Sequence, residues 1–433
     1  MRIAPPGGVI GPGSDRLAPV TTFAPDLLQR LAAEHGTPYY LYDADTILAR
    51  LASLRAFDVV RYAQKASSNV HLLRLLREAG ACVDAVSLGE IERAVRAGYA
   101  GRGEPAGLVY TADVIDEATL ARVLELDVPV NAGSADMLEQ LGRRRTGHRV
   151  WIRVNPGFGH GHSRKTNTGG EWSKHGIWHA YLDEALRQLE KYRLDLVGLH
   201  MHIGSGSDFE HLRRVCDARV EQVRALGVDV RAISGGGGLP VPYRPGDPVI
   251  DTGALHALWH EARGRVEETV GHPVRLEIEP GRYLVAEAGV LVARVRAAKR
   301  EGANRFLVVD AGFNDLVRPA MYGAYHAIEI VGRDGGPAGG PTQPTVVAGP
   351  LCESGDVFTQ EEGGVVVPRD LPAAEVGDLV VIRDAGAYAA SMGGNYNTRP
   401  LPPELLLEDG APRLIRRRQT LAELLQLEEI EET

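Results

Sequence analysis

The sequence predicts an α/β fold: a (β/α)8 barrel of the TIM type followed by a C-terminal β-rich domain, sandwich or barrel-like. Three observations carry that expectation. From about Leu41 to Pro280, short apolar runs alternate with amphipathic segments, about eight of each over roughly 240 residues. That is the rhythm of a barrel with a helix after nearly every strand. An open doubly wound sheet shares the local rhythm, and the strand count favours the barrel. After Ala286 the helical pattern gives way to strand-like runs with few helices between them.

The N-terminal stretch Met1 to Asp15 is rich in Gly and Pro and has no basic region followed by an apolar block, so it does not read as a secretory signal. The expected layout is an arm over 1–40 packing with the β-domain, a barrel over 41–285 and the β-rich domain over 286–433. The barrel strands are expected at Val59–Ala63, Ala81–Val86, Leu108–Tyr110, Val128–Asn131, Val150–Asn155, Leu196–His202, Val228–Ile233 and Val274–Glu279. Helices fall between them, for example over Leu88–Ala97, Glu117–Leu124 and Leu182–Tyr192. Ser87-Leu88-Gly89-Glu90 has the spacing of a capping box and marks one helix start. In the second domain the strand-like runs are Val290–Val295, Phe306–Asp310, Thr345–Ala348, Val365–Val367 and Leu379–Arg383. Gly332 to Pro344 reads as a surface loop, and Thr420 to Glu423 as a second capping box opening a short helix.

Composition narrows the function. The 433 residues exceed one ordinary core, and 44% hydrophobic with 24% charged residues is globular. A net charge of -9 argues against a nucleic-acid binder. No apolar run approaches the ~20 residues of a membrane span. The three cysteines, Cys82, Cys216 and Cys352, lie far apart and have neither disulfide-framework nor zinc spacing, which suits a cytoplasmic protein.

In such a barrel the chemistry sits at the C-terminal ends of the strands. Lys65 follows the first strand, Asp84 lies late in the second and Asn155 closes the fifth. His200 and His202 end the sixth, Gly235 to Gly238 follow the seventh, and Glu279 to Arg282 follow the eighth. A lone lysine is most often a solvated cation. Here it shares one rim with a glycine run whose backbone N–H groups can cradle a phosphate, and with Arg282, which can complete that site. The set suits a lysine that holds pyridoxal phosphate as a Schiff base. Glu279 is then the carboxylate for the pyridine nitrogen, although Glu277 shares its strand face. His202 stacks on the ring, and Ser205 donates to the phosphate. His200-Met201-His202 and His160-Gly161-His162 also have the spacing of a metal pair on a strand, so a metal-dependent barrel hydrolase is the rival reading. It leaves the lysine and the glycine run without a role, and no metal is expected.

Taken together, Tyr62–Asn69, Asn155–Gly176, His200–Ser205, Glu279–Arg282, Cys352–Asp356 and Arg416–Thr420 resemble the pyridoxal-phosphate decarboxylases that join a barrel to a β-domain. Within that group the similarity is to the diaminopimelate decarboxylases, from about Tyr39 to Gln419. The resemblance implies that Lys65 carries the cofactor, with Asp84, His202, Ser205, Gly236, Gly237, Gly238, Glu279, Gly281, Arg282 and Tyr388 around it. It implies that Arg282, Arg318 and Tyr322 hold the distal carboxylate of meso-2,6-diaminopimelate, that Glu353 holds the distal ammonium, and that Tyr388 touches the substrate. Cys352 and Glu353 would come from the other subunit of a homodimer, and Lys65 or Cys352 would return a proton after CO2 leaves. A decarboxylase of D-lysine or D-ornithine is the nearest alternative. Ser67, Ser68 and Trp172 depart from the family pattern, away from the implied chemistry.

Overall fold

The computed structural model describes residues 22–159, 168–202, 204, 209–336 and 338–428, apart from the side chains of Phe209 and His211. Among the described residues the first part holds β1 (Tyr39–Asp43), β2 (Val59–Ala63), β3 (Cys82–Ala85), β4 (Leu108–Ala112), β5 (Val130–Ala132), β6 (Arg149–Asn155), β7 (Asp195–His200), β8 (Ala232–Ser234) and β9 (Arg275–Ile278), with a two-residue strand, Ile177–Trp178, added beside β6. Strands β2 to β9 pair in parallel. The ring closes because β9 pairs with β2 and β5 with β6. This is the expected barrel, with most strand bounds within two residues of the reading and the second-domain strands beyond it.

The helices begin where short polar side chains can take up free backbone N–H groups. Asn69 caps α1 (Val70–Glu78) by accepting from His71 N at 3.0 Å. Asp116 caps Glu117–Leu126, Ser134 caps Ala135–Arg144 and Asp251 caps Thr252–Val270 in the same way. Only half of the first expected capping box forms. Ser87 accepts from Glu90 N, but the Glu90 carboxylate accepts from Val86 N at 2.8 Å, one residue short of the expected partner. The second box, Thr420 with Glu423, is complete.

Strand β1 corrects the domain boundary. The barrel was expected to start at 41, but Leu41 lies in a strand that pairs with Gly289–Glu301 and Glu404–Glu408 of the second sheet. All five residues of β1 are buried, so no alternation revealed its sheet. Its side chains nonetheless divide by the period of two. Tyr39 and Leu41 join Leu27, Leu28 and Leu31 of the helix Pro25–His35 on one face, and Tyr40 and Tyr42 join the barrel core on the other. The second sheet also holds the strands Asn304–Val309, Ile328–Val331, Thr342–Ala348, Arg369–Pro372, Leu379–Ile382 and Ala411–Arg416. No helix among the described residues is long and apolar enough to cross a membrane.

Glu277 belongs to the barrel interior. Its Oε2 accepts from Arg61 Nη2 at 2.8 Å and Nε at 3.2 Å, and its Oε1 accepts from Arg275 Nε at 2.8 Å. Arg61 and Glu277 are both essentially inaccessible. Removing one partner of such a pair leaves the other charge buried and alone, which typically costs about 3–5 kcal/mol. Glu277→Leu is therefore expected to lower unfolding stability by about that amount, read from urea denaturation, whereas Arg61→Met with Glu277→Leu restores much of it. A single variant as stable as the parent would show that the pair contributes nothing.

Candidate active site

A cavity opens at the C-terminal ends of the barrel strands, lined by Lys65, Asp84, Arg153, His200, His202, Gly237, Gly238, Glu279, Gly281, Arg282 and Tyr388 among others. Lys65 stands in a single 3-10 turn, Gln64–Ala66, directly after β2. Its neighbours Gln64 and Ala66 are buried while Lys65 is exposed. Three bonds hold the turn in shape. Tyr62 Oη donates to Ser67 O at 2.9 Å, and Ala66 O accepts from Tyr388 N at 2.8 Å and Ser391 Oγ at 3.0 Å. The amine therefore projects from a fixed backbone. Tyr388 itself sits at φ 57, a conformation a non-glycine residue adopts only when its surroundings impose it.

The glycine run bends where other residues could not. Gly238 has φ +95, and a Cβ there would lie 2.1 Å from Gly204 O. Gly236 has φ +66, and its Cβ would lie 2.4 Å from Met201 O. The run thus packs backbone to backbone against the segment after β7, beside His202.

Glu279 is fully engaged. His200 Nε2 donates to its Oε2 at 2.7 Å, and Ser234 Oγ donates to its Oε1 at 2.9 Å. Burial pushes the carboxyl up, but the neighbouring His200 ring and the hydrogen bonds from His200 and Ser234 outweigh it and hold Glu279 below the usual carboxylate range. His200 is 1% exposed, and its Nδ1 has no partner. Burial lowers its basicity while the Glu279 charge and hydrogen bond raise it, and Nε2 carries the hydrogen donated to Glu279. Glu277 and Glu279, indistinguishable by strand face, are separated by their partners: Arg61 and Arg275 hold the first, and Glu279 alone faces the cavity.

Asp84 behaves oppositely. Burial and then the Glu279 charge push it well above the usual range, and its Oδ1 has no partner. His202 is driven well below the usual imidazole range by burial, then by Lys65 and Arg153, and is uncharged near neutral pH. Farther out, Arg282 Nη1 donates to Tyr243 Oη at 2.7 Å, and its guanidinium lies 4.9 Å from the Tyr388 ring centroid. Arg318 is buried and lies beyond the cavity lining, 4.6 Å from the Tyr243 ring centroid. Tyr322 ends the same short helix, Arg318–Tyr322.

Other expected residues stand elsewhere. Cys352 and Glu353 are exposed and do not line the cavity. Asn155 braces a loop, its Oδ1 accepting from Gly157 N and Gly170 N. Ser205, His160 and His162 lie outside the described residues, among which no group of three or more His, Cys, Asp or Glu side chains is placed to hold a metal. Sequence reasoning missed Thr111, Arg153, Tyr243 and His326. Arg153 carried a signal: it shares a strand face with Trp151 and Asn155 in a buried strand, where an arginine needs a reason.

A lysine, an ionised carboxylate and a glycine cradle at the top of a barrel define a cofactor-dependent enzyme of the aldehyde-binding class. A family model for the pyridoxal binding domain of pyridoxal-dependent decarboxylases matches residues 46–286. The chain is 63% identical over 398 residues to the diaminopimelate decarboxylase of Streptomyces coelicolor, covering 92% of this chain and 90% of that one. A crystal structure of a diaminopimelate decarboxylase superposes with a TM-score of 0.92 at 58% identity, covering 95% of this chain and 99% of that one. The Helicobacter pylori diaminopimelate decarboxylase complexed with L-lysine superposes at 0.79 with 32% identity, covering 92% and 98%. The chain belongs to the diaminopimelate decarboxylase family of pyridoxal-dependent decarboxylases.

The state of Glu279 has a pH consequence. A carboxyl lowered in the fold contributes stability that is present above its unfolded value, near 4.5, and is lost as pH falls through the lower folded value. The stability gap between the parent and Glu279→Gln should therefore be widest near neutral pH and close as the medium is acidified below about 4. A gap that is constant with pH, in urea titrations at several pH values, would mean that Glu279 is not ionised in the fold.

Proposed function

We propose that the chain removes CO2 from the D-centre of meso-2,6-diaminopimelate to give L-lysine, with pyridoxal phosphate held on Lys65. The observation that carries this reading is the exposed Lys65 amine in a cavity whose other walls are an ionised Glu279 and a glycine cradle. The residues present fit the cofactor. The cradle has no room for Cβ atoms, its N–H groups suit a phosphate, and Glu279 suits a protonated ring nitrogen. When bound, pyridoxal phosphate supplies an electron sink for the pair left on the α-carbon as CO2 departs.

The chain's own residues do the rest. Lys65 would anchor the cofactor through its amine. His202 would lie against its ring, and Glu279 would pair with the ring nitrogen. Asp84 and Gly281 line the same cavity, Ser205 and Gly236 to Gly238 would hold the phosphate, and Tyr388 would contact cofactor and substrate. Arg282, Arg318 and Tyr322 take the distal carboxylate, and Glu353 of the partner subunit takes the distal ammonium. The bond from the α-carbon to its carboxylate breaks, and a proton from Lys65 or from Cys352 of the partner subunit replaces the departing group. The protein works in the cytoplasm as a homodimer; its cysteines are all unpaired.

The other substrates fit less well. D-lysine or D-ornithine lacks the distal carboxylate and would leave Arg282 and Arg318 without a counter-charge, a costly arrangement for buried cations. The metal-hydrolase reading gives Lys65 and the glycine cradle no role.

Borohydride treatment of the yellow holoenzyme should fix the cofactor to a peptide containing Lys65, and Lys65→Ala should retain weak cofactor binding without turnover. A label on another lysine refutes the anchor. The shared site has its own test. Lys65→Ala and Glu353→Ala should each be inactive, but refolding them together should restore roughly a quarter of parental activity, because half of the dimers are mixed and each has one intact site. Mixed dimers shown by tagged pull-down to be inactive would place both residues in one subunit's site.

A further inference from the structure

Two cations share the Tyr243 ring, Arg282 from the cavity wall and Arg318 from beyond it, with no carboxylate bonded to either among the described residues. The groups that act on Arg318 are Tyr243, Arg282, Tyr388 and Tyr322, and the two arginines repel each other. Asp384 senses Arg318, but burial and Glu287 push that carboxyl up to about 7, and it makes no bond to the guanidinium. Like charges in a partly desolvated place move apart unless something holds them.

Two uncharged side chains hold them. His326 is 1% exposed, with both ring nitrogens used. Arg318 Nη1 lies 2.8 Å from His326 Nε2, and His326 Nδ1 lies 2.8 Å from Arg383 O. A guanidinium only donates and a carbonyl only accepts. Nε2 must therefore accept and Nδ1 must carry the hydrogen, which makes His326 neutral and locks its tautomer. Tyr243 stands between the arginines. Its hydroxyl accepts from Arg282 Nη1 at 2.7 Å, its ring lies 4.6 Å from the Arg318 guanidinium carbon, and it meets the His326 ring edge-on at 5.4 Å. An aromatic face attracts a guanidinium without cancelling its charge.

We infer that Tyr243 and His326 are positioning residues: they fix Arg282 and Arg318 in one orientation while leaving both charges unneutralised, and so set the preference for a substrate with a carboxylate at its distal end. A carboxylate in either place would hold the arginines equally well and compete with the substrate. The inference rests on diaminopimelate as substrate, and the test separates the two claims.

The test uses the full-length enzyme loaded with pyridoxal phosphate. Its readouts are kcat and KM for meso-2,6-diaminopimelate and the calorimetric affinity for L-lysine. His326→Leu removes the acceptor. His326→Gln keeps an amide oxygen near the place of Nε2. Tyr243→Phe keeps the face under Arg318 and removes the partner of Arg282. Losing an acceptor from a buried charged donor predicts a rise of about tenfold in KM and in the L-lysine Kd for His326→Leu, with kcat within about threefold. His326→Gln should stay within about threefold of the parent, and Tyr243→Phe should raise KM severalfold. If His326→Leu does not fold, His326→Asn replaces it, because a shorter amide keeps the Arg383 contact and loses the Arg318 one. Unchanged KM and Kd in the acceptor-less variant, or a Gln variant no better than it, overturns the inference in an active enzyme. A parent that neither turns over meso-2,6-diaminopimelate nor binds L-lysine overturns the substrate assignment and the inference with it.

Discussion

Glu404 is the constraint on which the site depends. It is 2% exposed, and a buried carboxylate is tolerated only when its oxygens are met by donors. Asn69 Nδ2 at 3.0 Å and Arg416 Nη1 at 2.9 Å reach its Oε1, and Tyr42 Oη at 2.6 Å reaches its Oε2. Tyr42 and Arg416 belong to the second sheet, whereas Asn69 ends the rim segment that begins with the Lys65 turn and caps the next helix. One amide therefore ties a helix start, the lysine segment and the second domain together. The bond from Tyr388 N to Ala66 O adds a second tie at the turn itself. The backbone under Lys65 is held from both domains, so the amine has its geometry only when they are docked.

Within that frame the charges are sorted rather than merely gathered. Glu279 and Asp84 line one cavity and shift in opposite directions: His200, Ser234 and Arg61 hold Glu279 down, while burial and the Glu279 charge push Asp84 up. Two nearby carboxyls whose environments separate them in this way take different roles. The cations gather likewise. Arg153 lines the cavity and Arg282 and Arg318 stand at its distal end, on a protein whose net charge is -9. That local excess favours an entering dicarboxylate, because a converging positive field acts on the substrate more strongly than the distant negative surface does.

Much of this was legible in the sequence, and the exceptions share a cause. Barrel strands announce themselves as apolar runs followed by capped helices, so their order and rim residues follow from local pattern. Lys65, Asp84, His202, the glycine run and Arg282 were found because they sit at strand ends and line one cavity. The boundary at 41 cut through β1, which no sequence pattern revealed, because burial on both faces erases the alternation that assigns a strand to a sheet. The choice between Glu277 and Glu279 depended on Arg61, some 216 positions away, and on Ser234, 45 away, and no local pattern carries such pairings. Tyr243 and His326 were silent for the same reason: each matters through an arginine that the fold brings from elsewhere.

The division of labour between the domains bears on selectivity. The groups proposed for the reacting centre, Lys65, Asp84, His202 and Glu279, line one cavity and all come from barrel strand ends. The other end is composite: Tyr243 comes from the loop after β8 and Arg282 opens the short helix Arg282–Val285 after β9, whereas Arg318 and His326 come from the second domain. In the proposed reaction a substrate with an amino-acid group at each end would bridge the two, its distal carboxylate toward arginines whose hydrogen bonds run to Tyr243 and His326. Specificity is thus set by contacts remote from the bond that breaks, which allows the distal pocket to change without disturbing the lysine and its carboxylate. The same separation explains why the distal arginines need positioning residues of their own: no strand end orients Arg318, so the neutral His326 and the Tyr243 face must.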